Sequence, residues 1–572
     1  MSALIIHSPA MNAAAQNAPP ADTPQRFAHA AVVCVSRPAA DVGAQVLARG
    51  GTAVDAAVAT AFALAVTYPA AGNIGGGGYL LYLPGGTDQD AKSPDNHNTA
   101  PGAVFDFREV APAAATRDMF VDAQARTPHR RVGVPGTVRG LAMAHARFGR
   151  LPWRDLVLPA VTLAREGFAL DAAVAKELNE ELAEKDPAAF AELHRVYGRA
   201  DKKAWQAGDR LVQPELAAVL ERIAEQGPDG FYSGPTAELI AAEMRRGGGL
   251  ITTQDLVTYR PIERRPLVGT YRDCQIVAVP PSSSGGTTLV LMLNMLETQQ
   301  LAARDRWSSE TLHRLAETMR RAYRERAEYL GDPAFTEIPA KLLDKRYARA
   351  LAATIDPRHA TPSADLAGEI ALTVEGENTT HLSVVDGEGA AVSLTYTLET
   401  SFGGGVVVAG GGFLLNDEMN DFNWVPGVTN TLGRIGTLPN QVAPGKRMLS
   451  SMCPTIVRRG GKTLLVTGSP GGRTIINTVL QVIVNVVDYR LDAPAAVAAP
   501  RLHQAWLPDR VLVEPRLAEL HPAALDGLRA LGHTIKQNEE AQGDAHTIWI
   551  DPASGDRVAA PDRRISGAAA GH

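Results

Sequence analysis

The sequence predicts an α+β fold built as a layered sandwich, and two observations carry this prediction. Between about residues 136 and 356, apolar residues recur at spacings of three and four, as in WRDLVLPAVTLAREGF and SETLHRLAETMRRAYRERAEYLG, which is typical of helices. From Thr379 onward short strand patterns dominate, among them TTHLSVV, AAVSLTYT, TIVRR and KTLLVTG. A helix-rich part followed by a strand-rich part favours a layered sandwich over a doubly wound parallel sheet, which needs regular alternation of strands and helices.

Composition and charge exclude two classes of partner. The chain has 572 residues, 45% of them hydrophobic, which is enough for a substantial core. Its 56 Lys and Arg residues face 62 Asp and Glu residues, so the net charge of −6 provides no basic field for nucleic acid or an anionic membrane. The longest apolar stretch, residues 56–66, is far shorter than a bilayer span, and we expect a soluble protein with no membrane span.

The cysteines and the N-terminus give little functional information. Cys34, Cys274 and Cys453 cannot all pair and lack CxxC spacing, so we expect small core residues rather than a disulfide framework or a metal site. Residues 1–27 are rich in Ala, Pro, Asn and Gln and are predicted to be a disordered leader. They lack the charged start and apolar run of a secretory signal, which indicates either a cytosolic chain or a signal that was removed or replaced.

The first ordered part of the chain is predicted to combine short strands with a buried helix. Residues 31–36, AVVCVS, fit a buried strand. Thr52, with Asp55 three residues later, forms a capping box before a helix that is apolar almost all round, so this helix belongs in the core. The run NIGGGGYLLYL leads into another strand, residues 85–102 have the polar composition of a surface loop, and the strand AVFDF is followed by Arg108.

The strand patterns TTHLSVV and AAVSLTYT, which start at Thr379 and Ala390, form a predicted hairpin because only four residues separate them. A three-residue loop ending at Gly389, with this glycine in the left-handed conformation that such loops favour, would place Thr379 opposite Thr397. A two-residue loop would shift the register by one.

Alternation along the two strands supports the three-residue loop. In that register one face of the hairpin is rich in hydroxyl groups and the other face is apolar. The residues of the polar face are Thr379, His381, Ser383, Ser393, Thr395 and Thr397. Threonine is a common strand residue, so for any single threonine here a purely structural role is the simpler interpretation.

Ten sequence runs resemble the γ-glutamyltranspeptidase family in type and order. From residue 379 onward they are TTHLSVVD, TYTLETSFG, LLNDEMNDF, KRMLSSMCPT and TGSPGGRT, and before it they are GGGGYLLY, FDFREVAP, VGVPGTVRG, PPSSSGG and EYLGDPAF. The resemblance spans almost everything from about residue 30 to the end of the chain. With this many ordered coincidences, a purely structural role for Thr379 becomes the less favoured interpretation.

The resemblance implies a four-layer αββα sandwich of the N-terminal-nucleophile hydrolase type, with antiparallel central sheets. It also implies an inactive precursor, in which the Thr379 hydroxyl attacks the carbonyl of Asn378 and water hydrolyses the resulting ester. The products would be a large subunit, residues 28–378, and a small catalytic subunit, residues 379–572. Both subunits would form one intertwined domain.

The resemblance also implies the roles of two threonines. Cutting frees the α-amine of Thr379, whose ordinary pKa lies close enough to neutral for it to act as a base, so one residue supplies nucleophile and base. Thr397 matches the family's second threonine, which orients the nucleophile's oxygen. This assignment agrees with the hairpin register, which was counted independently of the resemblance.

The run KTLLVTG, SPGG, RTIINTVL is typical of a strand, a glycine turn and a helix. Backbone N–H groups at a helix N-terminus suit developing negative charge, so Gly471 and Gly472 are candidate oxyanion donors. A plain turn is the alternative interpretation. A phosphate cradle is disfavoured, because the GK[ST] of a P-loop and the spacing GxGxxG are both absent.

By the resemblance, charged and hydroxyl groups hold a γ-glutamyl unit, which carries an α-carboxylate and an α-ammonium. Arg108 would pair with the carboxylate, helped by the hydroxyls of Ser450 and Ser451, since a guanidinium matches a carboxylate with two parallel hydrogen bonds. Acidic side chains would take the ammonium. These are Asp421, Glu418 and, as a further acceptor, Glu399. Considered singly, Arg108 would more simply form a surface salt bridge, and Glu418 and Asp421 would be solvated acids in a turn.

Two features depart from the family pattern. The segment between Asp421 and Ser450 keeps the full length of the lid that covers the substrate in many bacterial members, but Leu432 stands where their gating tyrosine would align. The balance between transfer and hydrolysis is therefore open. The insertion at residues 85–102 is also long for the family, and it falls in a predicted loop.

The resemblance therefore implies cleavage of γ-glutamyl amides such as glutathione through an ester on Thr379, with release to water or to an amino acid or peptide amine. It implies no cofactor and no metal, and family habit places such enzymes in the periplasm or outside the cell. One alternative is an acylase that uses the same scaffold on glutaryl or cephalosporin-type side chains. It is less favoured, because a glutaryl group has no ammonium for Asp421 to pair with. The other is a non-catalytic relative that stays one chain.

Overall fold

The structure, a computed structural model, describes residues 24–86, 102–367, 372–373, 379–430, 434–538 and 541–572. In these ranges the strands are β1 (Gln25–Phe27), β2 (Ala31–Cys34), β3 (Gly77–Leu83), β4 (Ala103–Asp106), β5 (Phe168–Ala169), β6 (Arg210–Leu211), β7 (Ile262–Arg264), β8 (Leu267–Tyr271), β9 (Cys274–Ala278), β10 (Leu372–Thr373), β11 (Thr380–Val385), β12 (Ala391–Thr397), β13 (Arg434–Ile435), β14 (Thr455–Arg459), β15 (Lys462–Thr467), β16 (Leu502–His503), β17 (Val511–Val513), β18 (Ile535–Gln537), β19 (Thr547–Ile550), β20 (Arg557–Ala560) and β21 (Ala568–Gly571).

The α-helices of the described ranges lie mostly in the first two thirds of the chain. They are α1 (Arg37–Ala48), α2 (Ala53–Thr67), α3 (Thr137–Phe148), α4 (Trp153–Glu166), α5 (Ala172–Glu184), α6 (Ala191–Tyr197), α7 (Pro214–Gln226), α8 (Asp229–Tyr232), α9 (Gly234–Gly247), α10 (Thr253–Thr258), α11 (Gly285–Leu296), α12 (Ser309–Tyr329), α13 (Lys345–Ala353), α14 (Ile475–Val487), α15 (Ala493–Ala498), α16 (Pro515–Leu520) and α17 (Pro522–Ala530). None of these helices combines the length and the apolar character that crossing a bilayer would need.

Two large sheets, each of seven described strands, form the centre of the molecule. The first sheet has the strand order β1-β20-β19-β15-β14-β9-β8, and the second has the order β21-β2-β11-β12-β3-β4-β7. Every pairing in both sheets is antiparallel. The mixed fold of helices and antiparallel sheets is thus confirmed, and a doubly wound parallel sheet is excluded. Each sheet contains strands from both sides of Thr379.

Two apolar cores lie on the two faces of the second sheet. One core joins the face that carries Leu382 and Val384 to the helices of the first part of the chain, α1 to α9. The other core lies between the two sheets and extends to α11, α12 and α14 on the far side of the first sheet. Burying each such Leu or Val side chain contributes on the order of 2 kcal/mol, so both faces of the central sheet stabilise the fold.

Helix α2 has the capping box that its sequence predicts. The Thr52 hydroxyl oxygen accepts the N–H of Asp55 at 3.2 Å, and the Asp55 carboxylate accepts the N–H of Thr52 at 2.9 Å. The same carboxylate accepts the N–H groups of Arg150 and Leu151, and these hydrogen bonds offset the free-energy cost of burying it completely. All residues of the helix are buried, as an apolar surface on every side requires.

The hairpin of β11 and β12 has the predicted three-residue loop. Thr380 pairs with Tyr396 and the register continues without a shift to the loop, where the Asp386 N–H donates to the Ala390 carbonyl at 3.0 Å. Gly389 has a φ of 81°, in the left-handed region. Extending this register by one residue beyond Thr380 places Thr379 opposite Thr397.

The two faces of this hairpin are chemically different, as predicted. On the polar face the His381 ring contacts the Thr395 hydroxyl at 2.8 Å. The Ser383 hydroxyl donates to the His546 carbonyl at 2.8 Å, and the Ser393 hydroxyl donates to the Thr467 carbonyl at 3.0 Å; both carbonyls belong to or adjoin strands of the first sheet. The polar face therefore points between the sheets, where each of these hydroxyls finds a partner.

One sequence prediction needs correction. Gln25–Phe27 lie within the predicted disordered leader but form β1, which pairs with β20 at the edge of the first sheet, so order begins before residue 28. The region predicted to be mostly helical is so, with α3 to α13, and it also contains β7, β8 and β9, of which the last two form a hairpin that extends the first sheet.

Several predictions fall outside the described residues. These positions are residues 1–23 of the leader, residues 87–101 of the insertion, Asn378 and Leu432. The cysteine prediction can be compared with the structure. Cys34, Cys274 and Cys453 are buried free thiols, and burial raises the pKa of Cys34 to about 12, as for inert core residues.

Candidate active site

A small cavity lies where the end of the β11–β12 hairpin meets the turn after β15. Most of the predicted catalytic and substrate-binding residues line it. The lining residues are Arg108, Thr379, Thr397, Glu399, Asp421, Ser450, Ser451, Met452, Gly472, Arg473 and Ile475. The cavity volume is about 10 Å³, which holds roughly one water molecule. A substrate can therefore enter only if side chains move apart.

The two predicted threonines lie side by side at the hairpin end. Thr379 is 6% exposed and Thr397 is 1% exposed. The Thr397 hydroxyl oxygen accepts the N–H of Glu399 at 2.8 Å, and Glu399 has a φ of 80°, which turns the chain back toward it. This hydrogen bond fixes the position of the Thr397 hydroxyl at the cavity that Thr379 also lines.

Asn73 and Gly76 support the end of β12, and sequence reasoning did not identify either as a site residue. The Asn73 side chain donates to the Thr397 carbonyl at 2.9 Å and accepts the N–H of Gly76 at 2.9 Å. A Cβ at Gly76 would lie 2.0 Å from the Thr397 carbonyl oxygen. The glycine run that precedes β3 thus allows backbone to approach the threonine closely.

The glycine turn between β15 and α14 has the predicted form. Gly471 and Gly472 have φ values of 119° and 50°, and a short 3-10 segment, Gly472–Thr474, leads directly into α14. The Thr474 hydroxyl donates to the Gly471 carbonyl at 2.7 Å, which stabilises the turn. Among the described residues, neither glycine N–H donates to a backbone carbonyl in the observed loops and caps.

A buried cluster of charges forms the opposite wall. Arg108 is fully buried and forms ion pairs with Glu418 and Asp421. Carboxylate oxygens of Glu399, Glu418 and Asp421 lie within 4.8 Å of one another. Glu418, at the start of the 3-10 segment Glu418–Asp421, is not among the cavity-lining residues but pairs with Arg108, which is.

The acidic groups of this cluster repel one another. Burial raises the pKa of Glu399 well above its usual value, and the nearby Asp421 and Glu418 charges raise it further. Burial also raises the pKa of Asp421, which the charge of Arg108 opposes. Burial raises the pKa of Glu109, beside Arg108, to about 8. The cluster therefore holds more carboxyl groups than one guanidinium can balance, and added positive charge would stabilise it.

The ion pairs differ from the arrangement that the resemblance implies. There, Arg108 holds the substrate carboxylate and the acids hold the ammonium, whereas in the structure Arg108 pairs with Glu418 and Asp421. A zwitterionic group that enters the cavity would offer its carboxylate to Arg108 and its ammonium to the acidic side chains. The observed pairing thus gives Arg108 two carboxylate partners from the acidic half of the predicted clamp.

Two buried arginines were missed by the sequence reasoning. Arg326 donates to the Ser451 hydroxyl oxygen at 2.9 Å, and Arg473 lines the cavity while donating to the Leu507 carbonyl at 2.9 Å. Arg473 stands inside the run TGSPGGRT, and Arg326 lies two residues before EYLGDPAF. Proximity to these runs was the available signal.

The fold and the cavity define an enzyme site that places a threonine hydroxyl beside buried groups of both charges. The chain belongs to the γ-glutamyltranspeptidase family, whose model, described as Gamma-glutamyltranspeptidase, matches residues 39–572. It is 44% identical to the glutathione hydrolase proenzyme of Escherichia coli (strain K12) over 549 residues, which cover 95% of this chain and 91% of the relative.

Two solved structures have similar folds. The cephalosporin acylase from Bacillus halodurans has a TM-score of 0.82 at 25% identity and covers 99% of each chain. The γ-glutamyltranspeptidase of Helicobacter pylori has a TM-score of 0.53 at 38% identity, covering 57% of this chain and 92% of its own. The acylase chain matches almost the whole of this chain, whereas the transpeptidase chain matches little more than half of it at a higher sequence identity.

Proposed function

We propose that this enzyme cuts itself between Asn378 and Thr379 and then cleaves γ-glutamyl amides such as glutathione, through a γ-glutamyl ester on Thr379. One observation carries the proposal. The cavity beside the Thr379 hydroxyl contains a buried guanidinium and a set of carboxylates, which match a group with both an α-carboxylate and an α-ammonium. The name of the Escherichia coli relative, a glutathione hydrolase proenzyme, supports the same substrate class.

We assign the molecule to the four-layer αββα sandwich. The two seven-stranded sheets would be the inner layers, and the helices that enclose the two cores would be the outer ones. Cutting would give a large subunit, residues 28–378, and a small subunit, residues 379–572. Because each sheet takes strands from both, the subunits would stay intertwined after the cut.

The first step of self-cleavage needs the threonine hydroxyl and a group that orients it, and the second step needs water. The Thr379 oxygen attacks the Asn378 carbonyl and the C–N bond breaks. The hydroxyl proton passes to the leaving nitrogen, so the peptide becomes an ester and the nitrogen becomes the free amine of Thr379. Water then hydrolyses the ester and releases the carboxylate of Asn378. Thr397, which lies opposite Thr379 when the pairing of β11 and β12 is extended by one residue, would orient the attacking oxygen by donating its proton.

Turnover uses the new amine as the base. It takes the proton from the Thr379 hydroxyl, whose oxygen attacks the γ-carbonyl of the substrate. The N–H groups of Gly471 and Gly472 stabilise the oxyanion, and the same amine returns the proton to the leaving nitrogen. Water, or the amine of an amino acid or peptide, then attacks the ester and regenerates Thr379.

Substrate recognition requires the closed cluster to open. Arg108 exchanges Asp421 and Glu418 for the substrate carboxylate, which Ser450 and Ser451 also contact. The released acids, together with Glu399, take the ammonium. Family habit favours the periplasm or the exterior of the cell, and the choice of acceptor depends on a lid whose Leu432 lies outside the described residues.

Synthetic anilides test the substrate class directly. We expect γ-glutamyl-p-nitroanilide to be cleaved with a kcat/KM about a hundredfold higher than glutaryl-p-nitroanilide, because the glutaryl group lacks the ammonium and leaves the acids unpaired. Release of p-nitroaniline is measured with and without glycylglycine, and acceleration by glycylglycine would indicate transfer.

The similarity to the cephalosporin acylase of Bacillus halodurans makes an acylase the second candidate. Faster cleavage of the glutaryl anilide would favour it and contradict the γ-glutamyl assignment. Absence of cleavage of either anilide by an enzyme that has cut itself would contradict both.

A further inference from the structure

We propose that Arg326 is a positioning residue for the α-carboxylate subsite, because it fixes the Ser451 hydroxyl as a hydrogen-bond donor toward the substrate. The inference rests on the proposed function, since it assumes that Ser451 meets the carboxylate of a γ-glutamyl group. It adds a residue from α12, on the opposite side of Thr379 in sequence, to this part of the site.

Arg326 reaches two serines with one edge of its guanidinium. It lies in the last turn of α12 and is 6% exposed. Its Nε donates to the Ser284 hydroxyl oxygen at 2.8 Å, and its Nη2 donates to the Ser451 hydroxyl oxygen at 2.9 Å. Both contacts are charge-assisted and buried, which makes them stronger than hydrogen bonds between neutral groups.

The contact with Ser451 determines what the hydroxyl can offer to a ligand. A hydroxyl has one proton and accepts through its lone pairs, while an arginine can only donate. When Arg326 occupies a lone pair of Ser451, the serine proton stays available for an acceptor in the cavity. Ser450 is set in the same way, because its hydroxyl oxygen accepts the N–H of Met452 at 3.0 Å. Two preset donors suit a carboxylate, which only accepts.

The contact with Ser284 fixes the position of the same segment. The Ser284 hydroxyl donates to the Ser450 carbonyl at 2.5 Å, and the Ser284 N–H donates to the same oxygen at 2.8 Å. Ser283 also donates to the Met452 carbonyl at 2.5 Å. One guanidinium thus orients a hydroxyl of the cavity wall and stabilises the backbone on which both cavity serines stand.

A double-mutant cycle with two substrates tests the inference. For Arg326→Gln and for Ser451→Ala we expect KM for γ-glutamyl-p-nitroanilide to rise about tenfold or more, with kcat changed by less than about twofold. The KM of the double variant should be no higher than that of the single variant with the higher KM. For 4-aminobutyryl-p-nitroanilide, which keeps the ammonium but lacks the carboxylate, kcat/KM should not change. Arg326→Lys should recover part of the loss, because its ammonium can still donate to one serine.

Arg324→Gln is the matched control. Arg324 lies on the same helix and pairs with Glu325 and Glu328, away from the cavity, so its loss should leave both anilides unaffected. The inference would be overturned if the effects of Arg326→Gln and Ser451→Ala on KM were independent and additive. It would also be overturned if Arg326→Gln lowered kcat/KM equally for γ-glutamyl-p-nitroanilide and 4-aminobutyryl-p-nitroanilide, which would indicate a structural role. If the glutamine variant does not cut itself, Arg326→Lys is paired with Ser451→Ala in the same cycle. Failure of the unsubstituted enzyme to cleave the γ-glutamyl anilide would instead overturn the proposed function.

Discussion

Replacing Thr379 by alanine is expected to leave a single chain of 60.6 kDa and to lower γ-glutamyl-p-nitroanilide turnover by about four orders of magnitude or more. The substitution removes the one oxygen that would serve both self-cleavage and catalysis. Thr379 lines the cavity, is 6% exposed, and follows the register that places it opposite Thr397. A denaturing gel and the anilide assay measure the two effects.

Two controls separate the nucleophile from the strand. Thr379→Ser keeps the hydroxyl and should still cut itself. Thr380→Ala removes an identical side chain from the next residue, which points to the opposite face of β11. This variant should still cut itself and cleave the anilide. Two fragments, or substantial amidase activity, from Thr379→Ala would refute the assignment of this residue.

Replacing Asp421 by asparagine is expected to lower kcat/KM for γ-glutamyl-p-nitroanilide by about a hundredfold. The change removes the negative charge that lines the cavity and pairs with Arg108, but it keeps the size of the side chain. The glutaryl anilide has no ammonium, so its turnover should stay the same or increase. The ratio of the two kcat/KM values measures the effect free of changes in stability.

Asp417→Asn is the matched control for this ratio. Asp417 is a buried carboxylate four residues earlier that accepts from Thr400 and Asn420 and does not line the cavity. Its loss should lower the thermal midpoint of unfolding without changing the ratio. If Asp421→Asn slows both anilides equally, Asp421 does not recognise the ammonium.

The hairpin at the site could be predicted from sequence because its determinants are local. The loop is short, Gly389 is suited to its left-handed position, and polar and apolar residues alternate on both sides. The capping box of α2 is local in the same sense, since Thr52 and Asp55 are three residues apart. These elements agreed with the structure.

Pairings between segments that are distant in sequence could not be predicted. β2 was predicted as a strand, but its pairing with β21 was not, and neither β1 nor its pairing with β20 was predicted. Such strands are short, and their alternation is too brief to distinguish them from a loop or from part of a helix. The same reason explains why β8 and β9 were missed in a helix-rich region.

The site was predicted as a set of residues but not as a set of contacts. Arg108 and its acids stand in recognisable runs, yet nothing in sequence spacing indicates that they pair with one another in the closed form. Arg326 is one of several arginines on α12, and only packing shows which of them reaches the cavity wall. Tertiary contacts of this kind have no local signature.

The central claim is that one threonine is both the cutting point and the nucleophile, and sequencing the fragments of the mature enzyme tests it most directly. By residue share, the 60.6 kDa chain should give bands of about 40 and 21 kDa on a denaturing gel. The smaller band should begin TTHLSV. A single full-length band from a preparation that cleaves the γ-glutamyl anilide, or a small fragment with another first residue, would contradict the account.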